Sequence, residues 1–561
     1  MKRNGSQIII DALKKQGVKE VFGYPGGCVI PLFDEFLNHS DISIIRVAHE
    51  QAAAHAADGY ARVAGKPGVV IVTSGPGATN TITGIATAAM DSIPMIIISG
   101  QVRTTVIGTN AFQETNVIGV SRPVTKHNYL VKDLDQLPKI MEEAFYIAST
   151  GRPGPVLIDL PVDLQTVLSE APTPEQIEIS GYELPPKPDT QKIKKAWEMI
   201  RQSTRPVIYA GGGVNIGGAG EELRKFAQAT DIPVTTTLLG QGVIPEDHEL
   251  SLGMLGMHGT FLSNWAMNRA DLVITLGARF DDRVTGNVEK FLPMARIIHV
   301  DIDPSVINKI KKANMGVVAE VKDFLEEINR HAQKLDTDSW LSEIQLIAQE
   351  HPLPDYDQVD MEEGNLRPEY VIKEFSRQSK GDALVVSDVG QHQMFTALHF
   401  NFIHQRSHIT SGGLGTMGFS LPAAVGACFV PDHPQVISFC GDGGFQMNIQ
   451  ELATVRSYNL PIIIAVMNNR NLGMVKQWQD LFWDSRYAAT LTPDTPDFVK
   501  IAEGYFIEAK RITKKEEVAP AIAEALKKKG PILLEFMLDR HAMVYPMIPA
   551  GGEFKDIIEG E

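Results

Sequence analysis

The sequence predicts an α/β fold built from three doubly wound parallel sheets. Short runs rich in β-branched residues alternate with helical patterns along nearly all of the 561 residues, and this alternation is typical of parallel sheets. A chain of this length is also too long for a single hydrophobic core. Two polar, proline-rich stretches, 169–190 and 350–368, divide the pattern into three blocks.

Each block contains several predicted strands. In the first block, strands are expected at 42–48, 68–74, 95–99 and 154–161. In the second block they are expected at 206–213, 271–279 and 296–303. In the third block they are expected at 383–388, 436–440, 461–467 and 531–538. The first and third blocks look alike, because glycine-rich turns follow their strands, and we place three domains at 1–168, 191–345 and 366–561.

Composition limits the classes of partner. The formal net charge is −16 without a long basic run, so neither nucleic acid nor an anionic membrane is expected as a partner. No apolar run reaches the length of a membrane span, and the start, MKRNGSQIIIDALKKQG, lacks the apolar core of a signal peptide. Three scattered cysteines are too few for a disulfide framework or a zinc site. We therefore expect a cytoplasmic protein.

An acidic residue and an amide pair follow two successive strands of the third block. Asp442 comes just after the run 436–440, and Asn469 follows the run 461–467. The segment NIQELATVRSYN between them has an apolar helical face and predicts a crossover helix. Such crossovers usually bring consecutive strands close together, and ligands bind beyond the carboxyl ends of the strands. The two side chains are therefore expected to face one crevice.

One carboxylate with neutral oxygens suits Mg²⁺ better than Ca²⁺. Mg²⁺ uses one or two carboxylates and completes its shell with phosphate oxygens and water, whereas Ca²⁺ takes more protein ligands. Glycines around Asp442 would let backbone N–H groups approach a diphosphate, and the start of the following helix favours an anion. These glycines are Gly441, Gly443 and Gly444. For GDGG taken alone, a tight turn without a ligand is the alternative interpretation.

The combination of strand, GDG, helix, strand and NN resembles the cofactor-binding signature of thiamin-diphosphate (ThDP) enzymes. The resemblance implies that Asp442, the Asn469 side chain and the backbone carbonyl of Asn471 hold Mg²⁺ against the diphosphate of ThDP. It also implies ThDP contacts from Val389, Gly390, Gln391, His392, Gly415, Met417, Met474 and Val475. Met417 would wedge between the two rings of the cofactor, although core packing is the commoner role of a methionine.

Glu50 stands where a predicted strand meets an alanine-rich helix, in RVAHEQAAAHAADGYARVAG. Position alone favours an acid at a helix N-terminus, which contributes about 0.3–1 kcal/mol. By resemblance to the same enzymes, Glu50 is the carboxylate that activates the cofactor. It lies in the first block and the Mg²⁺ ligands lie in the third. Because such enzymes build each site from two subunits, the resemblance implies a homodimer or a homotetramer.

Other motifs narrow the resemblance to the catalytic large subunits of acetohydroxyacid synthases, also called acetolactate synthases, over essentially the whole chain. These motifs include VFGYPGGCVIPLFD, SGPGATN, IGTNAFQE, ARFDDRVTGN and NLGMVKQWQ. This family decarboxylates pyruvate and joins the remaining two carbons to a second pyruvate or to 2-oxobutyrate. The products, 2-acetolactate and 2-aceto-2-hydroxybutyrate, lead to branched-chain amino acids. The family also implies a small regulatory subunit as a partner.

The resemblance assigns the reaction pocket residue by residue. Gly27, Phe112 and Gln113 would line it beside the cofactor. Arg283 would bind the carboxylate of the second 2-oxo acid, a task that suits a bidentate guanidinium. Trp478 would pack on the alkyl group of that substrate and favour 2-oxobutyrate, since one methylene in such a pocket is worth about 1–3 kcal/mol.

The second block is expected to bind FAD in a structural role. YAGGGVN follows a strand and would offer backbone N–H groups to a diphosphate, although a full GxGxxG is missing. The residues that the resemblance implies are Arg152, Gly211, Gly212, Gly213, Thr237, Leu238, His258, Arg279 and, for the ribose hydroxyls, Asp301. The three domains would then bind, in chain order, the pyrimidine of ThDP, FAD, and the diphosphate with Mg²⁺.

Two sites depart from the family pattern. Val162 stands where the family usually has the lysine of DLPKD, and this change removes a cation from the rim of the active-site channel. Residues 319–320 are Ala-Glu where GD is expected beside the flavin.

Several other functions stay open. A pyruvate oxidase would use its flavin for redox chemistry, and a simple decarboxylase would release an aldehyde. A catabolic acetolactate synthase would lack RFDDRVTG, and a non-catalytic flavin-binding scaffold would not need Glu50 or Asp442.

Overall fold

The computed structural model describes residues 2–560 and contains three parallel sheets of six strands each, which confirms the predicted fold class. The strands of the first domain are β1 (Arg3–Asn4), β2 (Glu20–Tyr24), β3 (Ser43–Arg46), β4 (Gly68–Val72), β5 (Met95–Gln101), β6 (His127–Leu130), β7 (Pro155–Pro161) and β8 (Leu168–Ser169). Its helices are α1 (Gly5–Lys15), α2 (Ile30–Phe36), α3 (Glu50–Ala64), α4 (Pro76–Asn80), α5 (Ile82–Asp91), α6 (Val117–Ser121) and α7 (Leu137–Ser149). The sheet has the order β3-β2-β4-β5-β7-β6, and β1 pairs separately with β8 in antiparallel fashion.

The central domain follows after the first proline-rich stretch. Its strands are β9 (Pro206–Ala210), β10 (Val234–Thr236), β11 (Ser251–Met254), β12 (Leu272–Leu276), β13 (Arg296–Asp301) and β14 (Met315–Val318). Its helices are α8 (Thr190–Arg201), α9 (Gly212–Ile216), α10 (Gly220–Thr230), α11 (Phe261–Arg269), α12 (Asp282–Thr285), α13 (Val321–Asn329) and α14 (Asp338–Glu350). The strand order is β11-β10-β9-β12-β13-β14.

The third domain repeats the α/β pattern. Its strands are β15 (Ala383–Ser387), β16 (His408–Thr410), β17 (Gln435–Gly441), β18 (Ile462–Asn468), β19 (Glu508–Ile512) and β20 (Ile532–Met537). Its helices are α15 (Pro368–Ser379), α16 (Gln391–His399), α17 (Ser420–Ala427), α18 (Asp442–Met447), α19 (Leu452–Ser457), α20 (Gly473–Phe482), α21 (Phe498–Gly504) and α22 (Lys515–Ala525). The strand order is β16-β15-β17-β18-β20-β19.

Two different topologies result. When the strands of each sheet are numbered from its first strand, the first and third sheets share the order 2-1-3-4-6-5. The central sheet instead has the order 3-2-1-4-5-6, which is that of dinucleotide-binding folds. In such sheets a ligand binds where the strand order reverses, beyond the carboxyl ends of the strands. Within residues 2–560, no helix is both long and apolar enough to cross a membrane.

The first and third domains share a core in which two helix backbones touch. Helices α3 and α17 pack so closely that a Cβ atom on Gly59 would lie 2.1 Å from the carbonyl oxygen of Ala423. A Cβ atom on Gly426 would lie 1.8 Å from the carbonyl oxygen of Ala56. Both distances are far below van der Waals contact, and the obstructing atoms are backbone atoms that cannot rotate away. Glycine is therefore required at this crossing.

We expect Gly426→Ala to destabilise the protein, since the added methyl group must push the two helices apart. Overpacking of a close contact costs about 1–3 kcal/mol, and occasionally more. Thermal or urea unfolding would measure the loss. The matched control is Gly504→Ala, because that glycine is also helical but a Cβ atom added to it would have no neighbour within 4 Å. Equal stability of the two variants would contradict the close contact.

Candidate active site

Asp442 and Asn469 lie at the carboxyl ends of two adjacent strands. Asp442 is the first residue of α18, directly after β17, and Asn469 follows β18, the neighbour of β17 in the sheet. The side chain of Asp442 is buried, with 1% of the residue exposed, and its Oδ2 accepts a hydrogen bond from Thr492 Oγ1 at 3.0 Å. Burial raises the pKa of this carboxyl to about 6, because desolvation disfavours its charge. A bound cation would restore that charge.

The amide pair adds oxygens near this carboxyl. Asn469 Oδ1 accepts the Asn471 N–H at 3.1 Å, while its Nδ2 donates to Gln391 Oε1 at 3.2 Å. The Oδ1 atom of Asn471 is buried and has no hydrogen-bond partner among the described residues. Within that part of the chain, no three His, Cys, Asp or Glu side chains converge as in a zinc centre. The donor set therefore fits a Mg²⁺ ion that takes its remaining ligands from phosphate and water.

A pocket lies beyond these strand ends and is lined by third-domain residues only. Of the residues predicted to contact ThDP or Mg²⁺, it contains Val389, Gly390, Gln391, His392, Met417, Gly441, Asp442, Gly443, Gly444, Asn469, Asn471, Met474 and Val475. Gly415 stands beside it, since a Cβ atom added there would lie 3.8 Å from Val389. The residues assigned by the sequence pattern and those assigned by resemblance therefore lie around one pocket.

The turn after β17 needs glycine because other side chains crowd it. A Cβ atom on Gly441 would lie 2.9 Å from His392 Cε1, and one on Gly444 would lie 3.0 Å from the carboxyl carbon of Asp388. Burial lowers the pKa of His392 to about 4, so its ring is neutral, and its Nε2 has no partner among the described residues. The turn after β17 thus offers a ligand a backbone without side chains and, beside it, the unpaired ring nitrogen of His392.

The sequence interpretation missed Asp388, which supports the pocket from below. This buried carboxyl follows β15 and accepts hydrogen bonds from the N–H groups of Val389 (2.7 Å) and Gly418 (2.9 Å) and from Ser420 Oγ (3.2 Å). Burial raises its pKa to about 6. Asp388 joins the turn after β15 to the loop that carries Met417. The sequence did contain a signal for Asp388, because it is an acidic residue directly after a buried strand, as Asp442 is.

The first-domain candidates form a separate group. Glu50 begins α3, and its Oε2 accepts a hydrogen bond from Asn80 Nδ2 at 3.0 Å. Gln113 has a φ of 59° and lies against Gly75, where an added Cβ atom would be 2.8 Å from the carbonyl oxygen of Gln113. Phe112 is 88% exposed, and Gly27 is exposed as well. None of the four lines the third-domain pocket.

Glu451 is a second residue that the sequence interpretation missed. It lies in the third domain and is fully buried, yet its carboxylate accepts hydrogen bonds from the N–H groups of Ala48 and His49 at 3.1 Å. These two groups immediately precede Glu50. Burial raises the pKa of Glu451 to about 7. The third domain therefore fixes the backbone from which the Glu50 side chain projects.

The two predicted substrate residues come together from different domains. Arg283 lies on α12 of the central domain and Trp478 on α20 of the third domain, with the guanidinium carbon 5.6 Å from the indole centroid. Both line a second pocket, and Met474 and Val475 line this pocket as well as the first one. The guanidinium of Arg283 is largely exposed. A cation and an apolar wall thus stand next to the predicted cofactor pocket.

The residues expected to bind FAD gather around the carboxyl ends of the central strands. Gly211 follows β9, Thr237 follows β10, Arg279 comes after β12, and Asp301 ends β13. Leu238, His258, Gly212 and Gly213 lie in the turns and short helices that follow these strands. From the first domain, Arg152 pairs with Asp303 at 3.1 Å, two residues beyond β13. This is the edge at which dinucleotide-binding sheets hold their ligand.

Several buried polar atoms at this edge lack a partner within residues 2–560. They are Oγ1 of Thr236, Oγ1 of Thr237 and both ring nitrogens of His258. Burial lowers the pKa of His258 to about 4 and raises that of Asp301 to about 6. Unsatisfied buried polar atoms are costly and normally signal a missing partner. The edge therefore fits a large polar ligand such as a dinucleotide.

The glycine run after β9 differs from the expectation. The N–H of Gly211 donates to the carbonyl of Leu276, and the N–H of Gly213 donates to that of Gly277 at 3.1 Å. At most one of the three N–H groups, that of Gly212, can then face a phosphate. The reason is close packing: a Cβ atom on Gly213 would lie 2.7 Å from Gly277 Cα. The glycines bring the ends of β9 and β12 together, and they do not offer three N–H groups to one phosphate.

The two departures from the family pattern lie after β7, at Val162, and just before α13, at Ala319-Glu320. Val162 follows β7 and is half-buried, and its N–H donates to the Gln101 carbonyl at 3.0 Å. Ala319 is buried and donates its N–H to the carbonyl of Asp301 at 3.2 Å, and Glu320 is exposed at the start of α13. The second departure therefore adjoins the residue expected to bind the ribose.

Comparison with known proteins agrees with this geometry. Family models of thiamine pyrophosphate enzymes match residues 3–120 (N-terminal TPP-binding domain), 193–328 (central domain) and 388–536 (C-terminal TPP-binding domain). The fold and the pocket therefore define a thiamine pyrophosphate enzyme.

Three curated relatives narrow the family. The chain is 44% identical to acetolactate synthase 1, chloroplastic, of Zea mays, over 99% of this chain and 89% of the relative. It is 45% identical to a probable acetolactate synthase large subunit of Methanocaldococcus jannaschii, over 99% and 95% of the two chains. The identity to the acetolactate synthase large subunit of Haemophilus influenzae is 44%, over 99% and 98%. The chain belongs to the family of acetolactate synthase large subunits.

Proposed function

We propose that this chain decarboxylates pyruvate and joins the remaining two carbons to a second pyruvate or to 2-oxobutyrate. The observation that carries this proposal is the wall shared by two pockets: Met474 and Val475 line both the cofactor pocket and the pocket of Arg283 and Trp478. A second substrate held there would lie beside the cofactor. The products would be 2-acetolactate and 2-aceto-2-hydroxybutyrate, which serve branched-chain amino acid synthesis.

The residues of the third domain would hold the cofactor by its diphosphate. Asp442, Asn469 and the carbonyl of Asn471 would bind Mg²⁺, and Met417 would support the cofactor rings. When bound, ThDP would supply the electron sink for the decarboxylation and for the carbon–carbon bond formation that follows. The chain's own contribution is to orient these groups and to exclude water from them.

The second substrate would be held by two contacts of different chemistry. The guanidinium of Arg283 would bind its carboxylate through paired hydrogen bonds. The indole of Trp478 would contact its alkyl group and favour 2-oxobutyrate over pyruvate. The exposed position of Arg283 supports this role, because its guanidinium lies near Asp282 (3.9 Å), Met257 (3.8 Å) and the indole of Trp478 and forms no closer ion pair within the described part of the chain.

The site would be completed by a second copy of the chain. Glu50 would activate the cofactor of the partner subunit, with Gly27, Phe112 and Gln113 closing the reaction pocket. Two facts support this arrangement: these four residues do not line the pocket of their own chain, and Phe112 is 88% exposed. A homodimer is the smallest assembly that satisfies it, and a homotetramer would satisfy it too.

FAD would occupy the central domain without exchanging electrons, because the reaction involves no net redox change. The 3-2-1-4-5-6 strand order and the unpaired polar atoms near Thr237 and His258 support a dinucleotide there. We further propose the domain limits 1–168, 191–345 and 366–561, a small regulatory subunit as partner, and a cytoplasmic location. A pyruvate oxidase is the alternative, and family membership does not favour it.

Product analysis tests the proposal directly. Incubation with equal pyruvate and 2-oxobutyrate, omitting ThDP, Mg²⁺ or FAD in turn, should give both acetohydroxy acids only when ThDP and Mg²⁺ are present. Acetyl phosphate or acetate formed together with reduction of the flavin would instead indicate an oxidase. Release of free aldehyde as the main product would indicate a decarboxylase.

The variant Trp478→Leu should shift the product ratio toward 2-acetolactate. Removing the indole takes away contact with the extra methyl group, and discrimination by one such group is worth about 1–3 kcal/mol, or about 5- to 150-fold. The ratio of the two products at equal substrate concentrations measures it. Trp483→Leu is a suitable control, because that tryptophan lines the same pocket but is 66% exposed. An unaltered ratio in Trp478→Leu would remove the residue from substrate selection.

A further inference from the structure

The loop 412–418 is the element that would support the cofactor rings, since it carries Gly415 and Met417. It joins β16 to α17 and belongs to the third domain. One end is held by Asp388, a residue of the same domain, through the N–H of Gly418. At the other end, the third domain holds the preceding residue, since the carbonyl of Ser411 accepts from Gln393 Nε2 at 3.3 Å. The N–H groups of Gly412 and Gly413 themselves are held by the first domain.

Helix α5 of the first domain holds the loop at two points. Asp91, its last residue, accepts the N–H of Gly413 at Oδ1 (2.7 Å) and the N–H of Gly412 at Oδ2 (3.0 Å). One turn earlier, the hydroxyl of Thr87 shares a hydrogen bond with that of Thr416 at 2.7 Å. Residues four apart face the same side of a helix. One face of α5 therefore lies along the loop and holds it through hydrogen bonds.

Asp91 is itself fixed in place by a buried ion pair. Arg62 Nη2 donates to Asp91 Oδ2 at 2.8 Å, and Arg62 Nε donates to Asp58 Oδ1 at 2.5 Å. All three side chains are at most 9% exposed. The Asp91 carboxylate thus collects three donors, two from the loop and one from the guanidinium. Buried charges that lose a partner are strongly destabilised, so this geometry resists change.

Side chains of the other two domains also lie close to the loop backbone. A Cβ atom on Gly413 would lie 2.3 Å from Met90 Cγ and 3.2 Å from Arg279 Nη2, and one on Gly412 would lie 2.9 Å from Leu239 Cγ. Residues of the first and central domains therefore approach the loop closely. The hydrogen bonds that fix its backbone at Gly412 and Gly413 come from the Asp91 carboxylate.

We infer that Asp91, fixed by Arg62, is a positioning residue that holds the loop 412–418 in the shape needed under ThDP. The inference rests on the proposed cofactor site. Asp91 would act only through the loop backbone, and thereby on Met417, without touching substrate or cofactor. The first domain would then serve two sites: its Glu50 one cofactor and its Asp91 the other.

The variant Asp91→Asn tests this role because it keeps the side-chain shape. An amide accepts at one oxygen only, and its NH₂ group would oppose an N–H group or the guanidinium. We expect the apparent Kd for ThDP, titrated with excess Mg²⁺, to rise about tenfold or more. At saturating ThDP, the proton at C2 of the bound cofactor should also exchange with solvent more slowly than in the wild type.

A matched control separates positioning from general destabilisation. Asp271 likewise accepts two consecutive backbone N–H groups, those of Thr204 (2.8 Å) and Arg205 (3.0 Å). It precedes β12, at the opposite end of the strand from the proposed ligands. Asp271→Asn should lower the melting temperature without changing ThDP affinity or C2 proton exchange.

The possible results decide the matter. Wild-type affinity and exchange in a folded Asp91→Asn, or equal losses in Asp91→Asn and Asp271→Asn, would overturn the inference. If Asp91→Asn does not fold, Thr87→Val takes its place, because it removes the second contact with the loop and, besides it, only the bond from the Thr87 hydroxyl to the Thr83 carbonyl (2.9 Å) within the described residues. A raised Kd in that variant supports the inference and an unchanged Kd refutes it. If the wild type itself fails to bind ThDP with Mg²⁺, the cofactor assignment is wrong instead.

Discussion

Glu50→Gln should abolish most turnover while leaving ThDP bound. The amide keeps the size of the carboxylate but cannot carry the charge that a proton-bearing ring nitrogen of the cofactor would require, and loss of such a group costs about 10²- to 10⁴-fold in rate. Glu50 Oε2 already accepts a hydrogen bond from Asn80, so Oε1 is the atom left for the cofactor. Steady-state kinetics and a ThDP titration on the same preparation would measure both effects.

The control for this variant is Glu35→Gln. Glu35 lies on α2 of the same domain, and among residues 2–560 its carboxylate bonds only to His39 and Asn38. Its removal should leave kcat unchanged. If Glu50→Gln retained wild-type turnover, Glu50 would have no part in the mechanism.

Asp442→Ala should abolish Mg²⁺-dependent binding of ThDP. The residue is the one carboxylate predicted to bind the metal, and the neutral oxygens of Asn469 and Asn471 cannot balance the charge of the ion alone. We expect the affinity for ThDP to fall at least about 100-fold, beyond the range seen when residues around a metal ligand are changed. Isothermal titration with and without Mg²⁺ measures it. Asp484→Asn, an exposed change after α20, is the control, and wild-type affinity in Asp442→Ala would contradict the metal assignment.

The two inactive variants together test how the subunits share a site. A mixed dimer of Glu50→Gln and Asp442→Ala chains contains one site in which both residues are intact, provided that Glu50 acts on the partner's cofactor. Random exchange makes half of the dimers mixed, so about a quarter of wild-type activity should return. If Glu50 served its own chain, the mixture would stay inactive.

Long, fully buried strands were predictable from the sequence. Runs such as 68–74, 95–99 and 461–467 became β4, β5 and β18 because both faces of a central parallel strand are covered, which favours continuous apolar stretches. The edge strand β3 was predicted as 42–48, but other edge and short strands were missed. β16 has only three residues, and β19 reads Glu-Ala-Lys-Arg-Ile, since one side of an edge strand faces water.

The candidate site was predictable only in part. The meeting of Asp442 and Asn469 followed from a general rule on crossovers, and β17 does lie beside β18. The roles of Glu50, Arg283 and Trp478 depended on resemblance, because no spacing rule connects them. Asp91 gave no signal at all: it bonds to a glycine 321 positions away, and such tertiary contacts leave no local pattern.

The crossing of α3 and α17 limits how the enzyme can move during a catalytic cycle. Where two backbones touch at Gly59 and Gly426, neither helix can slide or tilt without collision. Any relative movement of the two domains would have to separate this contact first, at the cost of exposing its buried surface. Movement of smaller segments, such as the largely exposed stretch 483–489 after α20, needs no such separation.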